Sequence, residues 1–226
     1  QRIDFNELRD DVMRWGFGRP TGVGIPGEAR GLVTPLSRWS NLSQSSVPMG
    51  YEVGVTPLQM ARAFSAFARA GNRAGEMPSL SLEALATGDP RLRVTERILR
   101  PSVAEAGREA MVEVAEKMAT RTPAWIPGEK RFSYTAFGKS GTAKMVSPKG
   151  GYLEKQYTSS FVAGVPVEHP RIVLVVIIDD PGPEVVRAGR YFGSMTAGPA
   201  LLRIAERAMG YLGVAPDRES DEVAER

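Results

Sequence analysis

The sequence predicts a mixed α and β (α+β) fold in which an antiparallel sheet is flanked by helices. Three strand candidates follow one another at residues 134–146, 156–167 and 171–179, and the first turn between them contains Gly150 and Gly151. The connections are too short for the crossover of about a dozen residues that parallel neighbours need. Capped amphipathic segments lie before and after the strands, and these are expected to pack on the sheet.

Residues 16–50 are predicted to form a structured loop region, because eleven glycines and prolines would interrupt any long helix or strand there. A helix then begins at Pro57, with Thr56 as its N-cap, Gln59 completing a capping box and Gly71 just past its end. The predicted buried face of this helix consists of Met60, Ala63, Phe64, Phe67 and Ala68.

Residues 72–100 have no clear period and are predicted to be loop with one short strand near residues 97–99. The second helix is predicted to start with a capping box made by Ser102 and Glu105 and to end near residue 119. Its predicted buried face consists of Val103, Ala106, Ala110, Met111, Val114 and Met118.

A last helix is predicted over residues 195–212, and Gly213 can cap its carboxyl end. The side chains expected to point inward are Leu201, Leu202, Ile204, Ala205, Ala208 and Leu212. The charged segment that follows, residues 216–226, is predicted to be a disordered tail.

The composition is that of an ordinary globular protein, with 42% hydrophobic and 24% charged residues. The 29 basic and 26 acidic residues are scattered, so nothing supports nucleic-acid binding. There is no cysteine, which excludes disulfides and thiolate metal sites, and the longest aliphatic run is too short to cross a membrane. Because the chain starts with Gln1 and has no leader, it is expected to be a fragment, with any anchoring segment upstream.

The stretch FGKSGTAKM, residues 137–145, has two competing interpretations. A phosphate-binding loop needs a glycine five residues before Gly138, where Ser133 stands, and a helix that starts at Lys139. A strand suits the residues better, since it would place Lys139 and Gly141 on one face and the two hydroxyls on the other. The edge of such a strand can bind a peptide carboxylate.

KSGT at residues 139–142 resembles the third active-site motif of the penicillin-binding transpeptidases, and other segments match in the same order. RWGFGRPTGVGIPGEARG at 14–31 and GYEVGVTPLQMARAFSAFARAG at 50–71 resemble segments of the class B members. YTSSFVAGV at 157–165 and RIVLVVIIDDP at 171–181 resemble the strands that follow the third motif. The resemblance covers most of the chain outside residues 72–100 and the tail.

The resemblance implies an incomplete penicillin-binding, serine β-lactamase-like transpeptidase fold, with residues 1–215 as the C-terminal part of the domain. It implies a D,D-transpeptidase that crosslinks peptidoglycan stem peptides ending in D-Ala-D-Ala and binds β-lactams through a serine ester. Lys139 would supply positive charge, Ser140 and Thr142 would bind the substrate carboxylate, and the Thr142 amide would form half of an oxyanion hole. Gly141 would provide clearance.

The family's other two motifs are absent from these 226 residues. No serine is followed by lysine three positions later, and Asn6, Asn41 and Asn72 lack a serine or tyrosine two positions earlier. The chain alone is therefore expected to be inactive and not to be labelled by penicillin. Two alternatives stay open: a noncatalytic penicillin-binding-like scaffold in a division complex, and a phosphate-loop NTPase.

By resemblance, the parent protein is expected at the periplasmic face of the cell membrane, with division or elongation membrane proteins as partners and the division type favoured. No cofactor or metal is expected, because His169 and the pair Asp179 and Asp180 fit turns better than ligand sites. The tryptophans Trp15, Trp39 and Trp125 are expected to anchor loops. Two departures from the family pattern, TRTPAWIPGEKR at 120–131 and Phe137, are expected to reshape the rim of the site.

Overall fold

The computed structural model describes residues 4–90, 95–126 and 131–218. The chain forms two compact units: residues 1–66 with 75–100, and residues 67–74 with 101–226. Each unit has its own cluster of buried apolar side chains. No helix among the described residues is long and apolar enough to cross a membrane.

The first unit consists of short elements joined by well-bonded loops. Its elements are α1 (Phe5–Arg14), β1 (Leu32–Val33), α2 (Ser43–Ser46), β2 (Val53–Gly54), α3 (Pro57–Ala68, whose last two residues belong to the second unit), β3 (Glu76–Met77), α4 (Leu82–Thr87) and β4 (Glu96–Arg97). The strands pair antiparallel as β1 with β2 and β3 with β4. Sequence analysis placed one short strand near 97–99 and did not identify α1, α2 or α4.

The predicted capping box of α3 is confirmed. The Thr56 amide donates to Gln59 Oε1 at 2.9 Å, and the Gln59 amide donates to Thr56 Oγ1 at 3.1 Å. Of the predicted buried face, Ala63 and Phe64 are buried, whereas the other three residues are half-buried. Ala66 and Gln59 are also buried, although neither was predicted.

Gln59 also holds the glycine-rich loop region through its side-chain amide. Its Nε2 donates to the carbonyl oxygens of Arg19 at 2.7 Å and Arg30 at 2.9 Å. Gly31 lies so close that a Cβ there would be 2.5 Å from the Gly54 carbonyl oxygen. The loop is therefore structured, as predicted, because one buried amide satisfies several of its carbonyl groups.

A second set of side-chain bonds fixes the TGVGIPGE segment of this loop. The amide and hydroxyl of Thr21 both donate to Glu28, at 2.6 and 2.5 Å. Burial by itself raises the pKa of Glu28, but the hydrogen bonds from Thr21 and two following amides lower it below its ordinary value of 4.5. The carboxylate is thus held in its charged form as a cap for the turn.

We expect Gln59→Met to lower the free energy of unfolding by about 2 kcal/mol, because the loop carbonyls lose their donor while the side-chain volume is kept. Urea unfolding followed by circular dichroism measures the change. The matched control is Gln156→Met, at a glutamine whose side chain has no hydrogen-bond partner in the described part of the chain. We expect the free energy of unfolding of that control to stay within about 0.5 kcal/mol of wild type. Equal losses in both variants would show that the hydrogen bonds of Gln59 do not stabilise the loop.

The second unit is a three-stranded sheet covered by two long helices. Its elements are α5 (Pro101–Trp125), β5 (Phe137–Val146), β6 (Tyr152–Val165), β7 (Ile172–Asp179), α6 (Pro183–Arg187) and α7 (Ala197–Tyr211). The strand order is β5-β6-β7 and both pairs are antiparallel, so the predicted meander is confirmed. The core between sheet and helices includes Met118, Ala119, Phe161, Ala163, Leu201, Leu202, Ala205 and Met209.

The predicted start and end of α5 are wrong, and its predicted buried face is correct only in part. The helix starts at Pro101, so Ser102 lies inside it, and it continues to Trp125 rather than ending near residue 119. Val103, Ala106 and Ala110 are exposed. Met118 is buried as predicted, together with Ala104, Ala115, Ala119 and Thr122, which were not predicted.

The physical reason is the distribution of small residues around α5, which makes more than one face suitable for packing. Besides Met118, the residues that turn inward are mainly small ones, Ala104, Ala115 and Ala119. The Phe67 ring lies against Gly107, where a Cβ would be 2.7 Å from Cε1 of the ring. The spacing of the larger apolar residues therefore does not identify the buried face.

The last helix, α7, is two residues shorter at its start than predicted and one shorter at its end. Leu201, Leu202 and Ala205 are buried as expected, but Ile204 and Leu212 are exposed at 47% and 45%. Met209 is buried in their place, because it continues the stripe of Leu201, Leu202 and Ala205 at helical spacing.

Residues 214–218 pack beside the segment that leads into β5. Tyr134 Oη donates to the Val214 carbonyl at 2.8 Å, and the Thr135 amide donates to Asp217 at 2.6 Å. Burial, together with the charges of Glu206 and Asp217, raises the pKa of Tyr134, which keeps this donor protonated. Of the predicted tail, residues 216–218 are described and Asp217 is bonded in this way. Residues 219–226 lie outside the described residues.

Candidate active site

The KSGT motif lies in the middle of β5 and is fully extended. Residues 139–142 pair with residues 162–159 of β6 in an unbroken antiparallel register. A phosphate-binding loop requires a helix that starts at the lysine, whereas Lys139 is followed by seven more residues of strand. The phosphate-loop interpretation is therefore wrong, and the strand interpretation is confirmed.

The register fixes the face on which each motif residue lies. Directly opposite residues of an antiparallel pair share a face. Ser140 is opposite Phe161, and Thr142 is opposite Ser159, so both hydroxyls lie on the face that is covered by helices. Lys139 and Gly141 lie on the other face, as predicted.

The backbone of the motif borders the free side of the strand. Within the sheet that the described residues form, β5 is an outer strand with β6 as its neighbour. Lys139 Nζ donates to the carbonyl oxygen of Ser140 at 2.8 Å, so that carbonyl points away from β6. Because alternate residues of an edge strand turn their backbone groups outward, the amide of Thr142 lies on this same outer side.

Together these groups form a row of donors along one accessible edge. The side chains of Lys139 and Thr142 are exposed, and Ser140 is half-buried. The row contains one ammonium group, two hydroxyls and an outward amide. Such donors can bind a carboxylate and stabilise an oxyanion, because charge-assisted hydrogen bonds to anions are the strong ones.

Gly193, in the loop before α7, holds the Thr142 hydroxyl. Its amide donates to Thr142 Oγ1 at 3.0 Å. A Cβ on Gly193 would lie 2.1 Å from the Ser160 carbonyl oxygen and 2.4 Å from that of Gly141. Only a glycine can approach the sheet this closely, so the residue fixes both the loop and the hydroxyl.

Two aromatic residues precede Gly193 and extend this arrangement. Tyr191 stacks on Tyr157 with ring centroids 4.1 Å apart, and on Phe192 at 4.4 Å. The buried Ser159 hydroxyl donates to the Tyr191 carbonyl oxygen. This loop was not predicted from the sequence, and its one local signal is a glycine after two aromatic residues just before the last helix.

The contacts of Gly141 and Phe137 explain why these residue types stand in and beside the motif. A Cβ on Gly141 would lie 2.6 Å from Ser160 Oγ, so the space it leaves is taken by a serine on the neighbouring strand. Phe137 is fully buried, and its ring covers Gly164, where a Cβ would lie 2.2 Å from Phe137 Cζ. By the register Phe137 lies on the same face of the sheet as Lys139, where its ring is buried against Gly164.

The residues that were predicted to lie in turns or to anchor loops are not part of β5. His169 is exposed between β6 and β7, and Asp179 accepts from Thr158 Oγ1 at 2.9 Å. The described part of the chain contains no cluster of three or more possible metal ligands. Trp39 Nε1 donates to the Thr34 carbonyl at 2.8 Å, which makes Trp39 a loop anchor as predicted. The Trp125 side chain lies outside the described residues, as do residues 127–130 of the departure at 120–131.

Comparison with known proteins gives consistent matches along the chain. The family model described as penicillin binding protein transpeptidase domain matches residues 1–206. The chain is 34% identical over 221 residues to the probable peptidoglycan D,D-transpeptidase PbpC of Pseudomonas aeruginosa, covering 97% of this chain and 36% of that protein. It is 32% identical over 211 residues to peptidoglycan D,D-transpeptidase FtsI of Escherichia coli, covering 93% and 32%.

Solved structures show the same fold. The transpeptidase domain of penicillin-binding protein 3 from Burkholderia pseudomallei superposes with a TM-score of 0.74 at 28% identity, covering 96% of this chain and 60% of that one. Penicillin-binding protein 3 from Mycobacterium tuberculosis, complexed with aztreonam, gives 0.71 at 25% identity, covering 96% and 49%. The chain thus spans about a third of the length of the curated relatives it matches.

Proposed function

The chain belongs to the penicillin-binding protein transpeptidase family, and from this premise we propose that it is part of a class B peptidoglycan D,D-transpeptidase. Its proposed role is to bind the stem peptide and to stabilise the reaction's anionic intermediate. The observation that carries the proposal is the row of donors on the outer edge of β5, from Lys139 to Thr142.

The proposed reaction has two acyl-transfer steps. A serine hydroxyl, supplied from outside these 226 residues, attacks the carbonyl of the penultimate D-alanine; the peptide bond breaks and the terminal D-alanine leaves with a proton on its amine. The amine of a neighbouring stem peptide then attacks the serine ester, and the serine regains its proton. The Thr142 amide stabilises the oxyanion in both steps, because negative charge develops there only at the tetrahedral stage.

Substrate positioning is assigned to the side chains of the motif. Lys139 offers a positive charge to the terminal carboxylate, and the hydroxyls of Ser140 and Thr142 donate to its oxygens. The bond from the Gly193 amide to Thr142 Oγ1 supports this role, because it leaves the hydroxyl proton directed away from the loop. A β-lactam carboxylate would occupy the same place.

The setting of the parent protein follows from the same resemblance. We place it at the extracytoplasmic face of the cell membrane, held by a segment outside this chain, with membrane proteins of division or elongation as partners. The segment GYEVGVTPLQ at residues 50–59 favours the division type. Residues 1–215 are assigned to the transpeptidase domain. The competing role is a noncatalytic scaffold in a division complex, since the nucleophile motif is absent from this chain.

Fluorescent penicillin distinguishes enzyme from scaffold. We expect the parent protein to be labelled covalently, aztreonam to compete, and mass spectrometry to place the label on a serine outside these 226 residues. The separate chain is expected to remain unlabelled, which serves as the control for nonspecific reaction. An unlabelled parent would support the scaffold, and a stable ester on any serine of this chain would contradict the proposed division of roles.

A further inference from the structure

The second unit contains a basic cavity at the opposite end of the sheet from the β5-β6 turn. It has a volume of about 360 Å³ and is lined by residues of the turn after α3 and of the β6-β7 connection. Four of its lining residues are Arg69, Arg73, His169 and Arg171. We propose that this cavity binds a small ligand through a phosphate or diphosphate group.

Arg73 and Arg171 each extend from a turn whose backbone is closed by a hydrogen bond. Residues 71–73 form a 3₁₀ turn, closed by the Arg73 amide bonding to the Ala70 carbonyl at 3.2 Å. The β6-β7 connection is closed by the Arg171 amide, which donates to the Val165 carbonyl at 2.8 Å. Both arginine side chains therefore extend from backbone that is fixed by hydrogen bonds.

The lining of the cavity is positively charged. Among the described residues that line it there are three arginines and no carboxylate. The side chains of Arg73 and Arg171 make no hydrogen bond or ion pair within the described part of the chain. Arg108 adds a further guanidinium nearby, since its Nη1 donates to the Val167 carbonyl at 3.4 Å.

The positive charge of the cavity lining does not simply reflect a basic protein. The whole chain carries 29 basic and 26 acidic residues, yet the cavity gathers only one sign of charge. Like charges held close together repel each other, and an anion removes that repulsion. A multivalent anion matches the guanidinium groups of Arg73 and Arg171 better than a single carboxylate does, and phosphate oxygens fit the planar donor fork of arginine.

The cavity is separate from the proposed catalytic strand. It adjoins the Val165 end of β6, whereas Thr142 is paired with Ser159, six residues along the same strand. At the rise of an extended strand this separation is about 20 Å. Its volume also falls in the range of small-ligand sites, roughly 300 to 1,000 Å³. The inference is therefore independent of the proposed transpeptidase function.

The test is a titration of the chain with inorganic pyrophosphate at constant ionic strength, followed by calorimetry. We expect a Kd below about 1 mM, weakened by about tenfold or more in the double variant Arg73→Gln with Arg171→Gln. The matched control is Lys149→Gln with Lys155→Gln, which removes the same charge from the β5-β6 end of the sheet. Circular dichroism verifies that both variants are folded.

A second arm identifies the source of the phosphate group. Vesicles of phosphatidylglycerol with phosphatidylcholine are sedimented with the wild-type chain and with both double variants. Arginine-dependent binding of pyrophosphate supports a free ligand, and arginine-dependent binding of vesicles alone supports a lipid phosphate. Equal binding by both double variants, binding of poly-glutamate in place of either phosphate probe, or no binding at all would overturn the proposal.

Discussion

Lys139→Ala in the parent protein is expected to lower the second-order rate constant of acylation by a β-lactam about 100- to 1,000-fold. The ammonium group lies on the outer edge of β5, where its Nζ bonds to the Ser140 carbonyl. Removing a preorganised donor or charge from a site that stabilises an anion typically costs this much in rate. Stopped-flow or gel-based labelling with fluorescent penicillin measures the change.

The control for this prediction lies on the same strand. Lys144 is exposed and stands five residues beyond Lys139, about 17 Å along an extended backbone. Lys144→Ala therefore removes an equal charge outside the proposed site, and we expect the acylation rate to change less than about twofold. Lys139→Arg should recover part of the loss, because it restores the positive charge. An unchanged rate for Lys139→Ala would refute the assignment of β5.

Gly193→Ala is expected to lower the free energy of unfolding by about 3 kcal/mol, the upper part of the usual range for overpacking. The added methyl group would lie 2.1 and 2.4 Å from two backbone carbonyl oxygens, which cannot turn aside as a flexible side chain would. The loop must then move off the sheet, and Thr142 Oγ1 loses its donor. Urea unfolding of the chain measures the stability.

Gly210→Ala provides the contrast, since it adds the same methyl group near the end of α7, where nothing lies within 4 Å of the new Cβ. We expect Gly210→Ala to be neutral or to stabilise by about 0.5 kcal/mol, because alanine favours helix. In the parent protein, Gly193→Ala should also slow acylation at a temperature where it remains folded. A variant as stable as wild type would show that the loop is not fixed by this approach.

The sheet could be predicted from sequence because its determinants are local. Short connections force antiparallel neighbours, and the ladder of β5, β6 and β7 follows from that constraint. The extended conformation at Lys139 could also be decided locally, from the missing glycine and the lack of space for a helix. Thr56 and Gln59 form a capping box for the same reason: the bonded groups are three residues apart.

The predictions that were wrong or missing concern features that only tertiary packing determines. Alanine and glycine occur all around α5, so the sequence pattern does not single out its buried face, and the contact of the Phe67 ring with Gly107 joins distant parts of the sequence. The support of Thr142 by Gly193 spans 51 residues, and its one local signal is a glycine after two aromatic residues. Both contacts depend on the absence of a side chain, which periodicity cannot reveal.

The bonds between residues 214–218 and the segment before β5 have a consequence for biosynthesis. Thr135 and its acceptor Asp217 are 82 positions apart, and Tyr134 and Val214 are 80 apart. A ribosome adds about 5 to 20 residues per second, so roughly 4 to 16 seconds separate the synthesis of the two partners. During that interval the nascent strand can pack against α5 and its hairpin partners but lacks the contacts of residues 214–218, and a chaperone has time to shield its open edge.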